Sequence, residues 1–230
     1  MKRKINLKDY FDAMKVKIND LNIKIFHFNI FKVNTLVCYD NTKTGVIVDP
    51  GMCSKEEQNK LSEFVKKENI VVKYIINTHP HIDHILGNEF CVNEFKTSLL
   101  AHKEGLSIYK EAPEHGASFG FPIFDYPIPD KYINENDLLS FGNQSWKILY
   151  TPGHCDGSVC FFDENNKIVI VGDVLFAGSI GRTDLPTGNF NLLIQNINEK
   201  LLTLGDDLLV VPGHAETTTI GHEKKYNTYL

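Results

Sequence analysis

Long apolar runs are missing from this chain of 230 residues. None approaches the roughly 20 apolar side chains of a membrane-spanning helix, so no membrane partner is expected. Clustered basic charge is missing too. Lys and Arg number 24 against 29 Asp and Glu, a net charge of −5. Nothing resembles the basic patch that marks a nucleic-acid binder, so no nucleic-acid partner is expected either. The opening residues, MKRKINLKDYFDAMKVK, are basic, but no apolar segment follows them, and they do not read as a secretory signal. Cysteine is scarce. Cys38, Cys53, Cys91, Cys155 and Cys160 are odd in number and scattered, unlike a disulfide framework. A reducing cytoplasm is the expected setting.

What is present suits a globular protein. Hydrophobic residues make up 42% and charged residues 23%, ample for the core of one large domain. Residues 1–20 are polar, Lys-rich and aperiodic. They read as an N-terminal extension, either a short helix or a loose segment, with Met14 an alternative start. Residues 21–230 read as a single domain. Strands are expected at 23–30, 33–39 and 45–49, with Pro50-Gly51 as the stop. Ser54 and Glu57 form a capping box ahead of the helical stripe Leu61, Phe64 and Val65. The run 71–77 reads as a buried strand, and 87–95 as a helix whose first amides would face the polar cluster before it. A short strand at 99–101 and a helix at 102–112 follow. Residues 113–137 hold Pro113, Pro122, Pro127 and Pro129 with Phe119, Phe121, Phe124 and Tyr126. They read as a long irregular loop, equally a binding loop or a cover over the core. The second half offers strands at 145–150, 158–162, 167–171 and 208–211, a turn at Asn165-Asn166, a helical stripe from Phe190 to Leu201, and a closing helix around His222 and Tyr226. Two strand-rich halves, each with helices, favour two facing sheets with helices outside.

The chemistry concentrates at Thr78-His79-Pro80-His81-Ile82-Asp83-His84, where the buried strand runs out. Neutral imidazole and carboxylate are ligands that borderline divalent metals accept. A polar turn with incidental histidines is the weaker reading of three imidazoles in six residues. The placement recurs. His154 follows Thr151-Pro152-Gly153, Asp173 follows Val171-Gly172, His214 follows Val211-Pro212-Gly213, and Asp49 precedes Pro50-Gly51. Each sits at the end of an apolar strand beside Gly or Pro, where backbone turns tightly. Any one alone reads as an ordinary strand-end polar residue. Together, His79, His81, His84, His154, His214, Asp83 and Asp173 are enough for two metals with an open position for water. Three histidines suit one zinc, Asp83, His84 and His214 a second, and Asp173 could bridge them. His27, His102, His115 and His222 read as surface or loop groups. Cys155 reads as a small buried residue rather than a soft ligand.

His79-x-His81-x-Asp83-His84 followed by His154, Asp173 and His214 resembles the metallo-β-lactamase-fold hydrolase superfamily, and especially its short glyoxalase II-like (hydroxyacylglutathione hydrolase-like) branch. Thr151-Pro152-Gly153-His154, Gly172-Asp173-Val174-Leu175-Phe176, Gly181-Arg182-Thr183-Asp184 and the ending Thr218-Thr219-Ile220-Gly221-His222-Glu223 are similar to that branch as well. The likeness covers residues 23–230. It implies an α/β fold, a four-layer αββα sandwich of two mixed sheets with outer helices and the site along one edge. It implies His79, His81 and His154 on one metal, Asp83, His84 and His214 on the other, and Asp173 between them. Asp49 would orient a ligand imidazole, and Arg182 with Asp184 would fix a loop beside the site. The implied activity is that of a metal-dependent hydrolase, in which a metal-bridged hydroxide attacks a small thioester such as an S-acylglutathione. Asp83 and Asp173 would position the nucleophile. Two divalent ions are implied, zinc first, with iron or manganese as alternatives. A mononuclear iron persulfide dioxygenase and a lactonase share the pattern. Long glyoxalase II enzymes carry a C-terminal helical domain with basic groups for glutathione. The present sequence runs only from Ala215 to Leu230 beyond His214, and Cys155-Asp156 replaces the usual Thr-Pro after His154.

Overall fold

The computed structural model describes residues 15–121 and 126–230; Met14, Pro122 and Phe124 lie outside them. The first sheet begins with β1 (Lys15–Ile18), β2 (Leu21–Phe28), β3 (Val33–Tyr39) and β4 (Thr44–Val48), antiparallel neighbours joined by short turns. It continues in parallel through β5 (Val71–Ile76), β6 (Ser98–Ala101) and β7 (Lys131–Tyr132). Parallel neighbours need crossovers. These are α1 (Lys55–Glu68) before β5, α2 (Ile82–Ile85) and α3 (Asn88–Phe95) before β6, and α4 (Leu106–Ser118) before β7.

The second sheet starts with the antiparallel strands β8 (Leu138–Phe141), β9 (Gln144–Tyr150), β10 (Val159–Asp163) and β11 (Ile168–Gly172). A two-stranded ribbon, β12 (Leu175–Phe176) and β13 (Ser179–Ile180), follows. The chain then crosses through α5 (Phe190–Asn196) and a π turn at Ile197–Leu201 to β14 (Leu209–Pro212), which pairs in parallel with β11. β15 (Thr218–Thr219) adds an edge, and α6 (Ile220–Tyr226) closes the domain.

Side-chain alternation along the strands builds the layers. Leu36, Val46, Val48 and Ile76 face Trp146, Ile148, Phe161 and Ile170 between the sheets. Their neighbours Val37, Ile47 and Ile75 point outward onto Leu61 and Val65 of α1 and Cys91 of α3. On the far side Val169, Val171 and Val210 pack against Leu193, Ile197 and Leu201. Central strands covered on both faces explain the unbroken apolar runs, and each such side chain contributes about 1.5–3 kcal/mol by burial. The result is the expected αββα sandwich of two mixed sheets. No helix among the described residues is long and apolar enough to cross a membrane.

Four expectations are corrected. Lys15–Ile18, inside the expected extension, is a strand paired with β2. β2 stops at Phe28 because Asn29 turns into the left-handed region (φ 54°), leaving Ile30 exposed. Pro113 does not end a helix but lies inside α4. That face of α4 is held by packing: Gly116 lies against Tyr126 and Ile82, and Tyr109 and Ala112 are buried. Tertiary contacts thus outweigh the cost of about 3 kcal/mol of an interior proline. Finally, the polar cluster itself runs into α2, which carries Asp83 and His84, and Gly87 ahead of α3 donates its amide to the Pro50 carbonyl instead of facing the cluster.

Candidate metal centre

The ends of β4, β5, β9, β11 and β14 meet along one edge of the sandwich, and the polar residues beyond them converge there. The loop after β5 is braced from below. Asn77, fully buried, donates to the His84 carbonyl at 3.2 Å and accepts from Tyr109 Oη at 2.8 Å and Asn88 Nδ2 at 2.8 Å. His81 caps α2 in an extended conformation, which places Asp83 and His84 in its single turn.

Two groups form. His79, His81 and His154 bring one ligand atom each within 4.8 Å of the others, and so do Asp83, His84 and His214. Asp173 lies between the groups. Its Oδ2 is 3.8 Å from His154 Nε2 and 3.6 Å from His214 Nε2, and its Oδ1 is 3.5 Å from His84 Nε2. All seven residues singled out in the sequence therefore share one site.

Whether these residues suit a cation follows from where their protons are. His154 Nδ1 donates to the Arg182 carbonyl at 2.8 Å, and His214 Nδ1 to the Phe31 carbonyl at 3.0 Å. His84 Nδ1 donates to Asp49 Oδ2 at 3.0 Å. Thr78 Oγ1 gives its proton to Asp49 Oδ2 at 2.6 Å and so accepts from His79 Nδ1 at 3.0 Å. The inward nitrogens are left with lone pairs. His79 Nε2 and Asp173 Oδ1 are buried with no hydrogen-bond partner. His154 Nε2 faces His81 Nδ1 at 2.8 Å, and His84 Nε2 faces His214 Nε2 at 3.1 Å. Converging lone pairs repel unless a proton or a metal ion lies among them, so the donor set fits divalent cations.

The two groups differ in charge. Burial, followed by the neighbouring imidazoles, holds His79 well below its ordinary pKa and His81 down to about 3. Burial also lowers His154, against the pull of Asp173. Burial would lower His84 too, but Asp83, Asp173 and Asp49 outweigh it and raise that imidazole to about 10. His214 is raised by Asp83 and Asp173 against its burial. Asp83 lies below the usual carboxylate range: burial raises it, but His84 and His214 outweigh that. Without metal, the first group is neutral and the second holds a proton.

Asp49 serves both groups. It is buried with a left-handed backbone (φ 48°), its Oδ1 accepts from Thr78 N at 2.7 Å, and its Oδ2 takes Thr78 Oγ1 and His84 Nδ1. It could itself join His79 and His84 in a ligand set, but both its oxygens are already engaged. Close approach needs glycine twice. A Cβ on Gly172 (φ 50°) would strike Thr78 Oγ1, and one on Gly213 would strike Asp173 Oδ1 and His84 Cε1.

Arg182 reaches the centre through its carbonyl alone. Its guanidinium turns to Asp184 in a bidentate pair, Nε to Oδ1 at 2.8 Å and Nη2 to Oδ2 at 2.7 Å, both side chains largely exposed. Of the other histidines, His102 stacks on Tyr150 at 4.0 Å, and His27 and His222 lie outside the groups. Burial pushes the Cys155 thiol up to about 12, in keeping with a buried structural residue. All five cysteines are free.

Sequence reasoning missed the Thr78 relay, the Asn77–Tyr109 brace and the main-chain anchors at Phe31 and Arg182. It also missed the cavity above the centre, about 350 Å³, with Phe31 and Phe119 at its lip and Ile108, Glu111 and His115 of α4 on its wall. Phe31 and Phe119 meet edge to face at 5.6 Å. The spacing of 108, 111, 115 and 118 was a helical signal that Pro113 masked.

A family model described as the metallo-beta-lactamase superfamily matches residues 31–214. The hydroxyacylglutathione hydrolase GloC of Haemophilus influenzae is 34% identical over 91% of this chain and 98% of its own length. Among solved structures, the B3 metallo-beta-lactamase BLEG-1 superposes with a TM-score of 0.83 at 31% identity, covering 90% of this chain and 99% of that one. A di-iron-bound form of TTHA1623 superposes with a TM-score of 0.80 at 28% identity, covering 94% of this chain and 100% of that one.

Proposed function

We propose that this chain, which belongs to the metallo-beta-lactamase superfamily, is a two-metal hydrolase of small thioesters. The observation that carries the reading is the pair of ligand groups with converging lone pairs and Asp173 within reach of both. The similarity to a hydroxyacylglutathione hydrolase adds the reaction class. His79, His81 and His154 would hold one ion, Asp83, His84 and His214 the other, and Asp173 would touch both. Bound there, such a pair would acidify a water and polarise an acyl carbonyl. The protein's own groups do the rest. Asp49 and Thr78 fix the ring orientation of His79 and His84. Asp83 and Asp173, acceptors only when ionised, orient the attacking water. Phe31, Phe119 and Ile108 shield the acyl group from bulk solvent. No side chain needs to protonate the leaving group, because a thiol of pKa near 8.5 departs as thiolate. The expected substrate is a small molecule, and the expected setting the cytoplasm.

Metal analysis of protein purified without added metal, beside a panel of thioester, lactone, persulfide and β-lactam substrates, tests the reading. Two ions per chain with thioester turnover are expected; zinc is the first candidate, and the di-iron neighbour brings iron into the same measurement. One iron with oxygen uptake on a persulfide, or preferred turnover of a lactone or β-lactam, overturns it.

A further inference from the structure

We infer that the cavity above the metal centre selects its substrate's thiol half by charge, favouring a neutral or ammonium-bearing thiol over one with carboxylates, and that Glu111 sets this preference. The inference rests on the thioester reading and narrows it.

Ile108, Glu111, His115 and Ser118 fall on one face of α4, and that face is a wall of the cavity. Glu111, exposed to solvent and among the cavity's lining residues, forms no hydrogen bond or ion pair among the described residues, so its charge is free to act on the space where the substrate's outer half would lie. Beside it the wall carries His115, one turn along α4, and Arg182, whose Nε and Nη2 are held by Asp184. No lysine is among the lining residues that the structure describes. Metal ions held by the two ligand groups would lie at the floor, where Asp83 and Asp173 would offset part of their charge. A thiol half with carboxylates would therefore meet a like charge across a concave, largely apolar space, in which Glu111 stays open to water and screening is partial. An ammonium group would meet a partner. Discrimination of this kind works by repelling the wrong ligand as much as by attracting the right one.

The test uses the metal-loaded full chain and four thioesters of one acyl group. These are an acylthiocholine (cationic), an S-acyl-N-acetylcysteamine (neutral), an S-acyl-3-mercaptopropionate (anionic) and an S-acylglutathione. Calorimetry with the matching non-hydrolysable thioethers gives a readout independent of turnover. The neutral and cationic compounds should exceed the anionic ones by about tenfold in kcat/KM and in affinity, the effect of one opposed charge in a partly shielded site. E111Q should collapse that ratio, E111R should invert it, and E114Q, on the same helix but off the wall, should leave it unchanged. Anionic compounds bound and cleaved as well as neutral ones, or a ratio unmoved by E111Q, would overturn the inference alone. Binding that keeps the charge ranking with no thioester cleaved would overturn the thioester reading alone.

Discussion

The two ligand groups sit side by side yet solve burial differently. His79, His81 and His154 form a group without carboxylates, each imidazole deprotonated by its surroundings. Asp83, His84 and His214 form a group in which carboxylates hold a proton on His84 when no metal is there. A metal entering the first group meets ready lone pairs. A metal entering the second must displace a proton, so its affinity depends more strongly on pH. What links the groups is Asp49 from behind and Asp173 from the front.

The sharpest way to break the comparison is to remove what the groups share. Asp49→Ala strips Thr78 and His84 of their buried acceptor. It should cost about 3–5 kcal/mol in denaturant unfolding, as for a buried pair that loses one partner. Both metals should weaken by roughly 10–100-fold in chelator competition. If only one group weakens, Asp49 is not common support. Next, Asp173→Ala should leave the first group intact, lower metal content from two ions to one, and reduce thioester kcat by about 10²–10³-fold. Full activity in this variant would remove the role given to Asp173.

The difference in charge gives a pH test on the chelated protein. His81, depressed to about 3 when folded, favours the unfolded state as pH falls below about 6.5, the ordinary histidine value. His84, raised to about 10, contributes stability that is present below about 6.5 and is lost as pH rises towards 10. Melting temperature without metal should therefore peak near neutrality and fall on both sides. Metal should flatten the alkaline side, because the ion replaces the His84 proton. A chelated protein whose stability rises from pH 7 to 10 would contradict the assignment. The smallest effect belongs outside both groups. Asp184→Asn removes an exposed ion pair and should leave the melting temperature unchanged and activity within about threefold. A larger loss would mean that the Arg182 carbonyl needs this pair to hold His154.

All seven candidate ligands were legible because four crowd into residues 79–84 after one apolar strand, while His154, Asp173 and His214 each follow a glycine where an apolar strand ends. Asp49 was legible as the polar end of another apolar strand, although its service to both groups runs through the Thr78 hydroxyl, which the sequence left without a role. The carbonyls of Phe31 and Arg182 were invisible, since every residue has one and only the fold selects which points inward. The cavity wall was hidden by Pro113, a local stop signal overruled by the packing of Tyr109, Ala112 and Gly116. β1 was hidden because Lys15–Ile18 is a short edge strand whose partner, not its composition, makes it a strand.

The hydrogen bond from His214 to the Phe31 carbonyl joins residues 183 positions apart. The second group is therefore closed by the two ends of the domain and forms only when the end of β14 has docked beside the opening strands. Because a domain folds as a unit, an intact second group reports that the whole sandwich has closed.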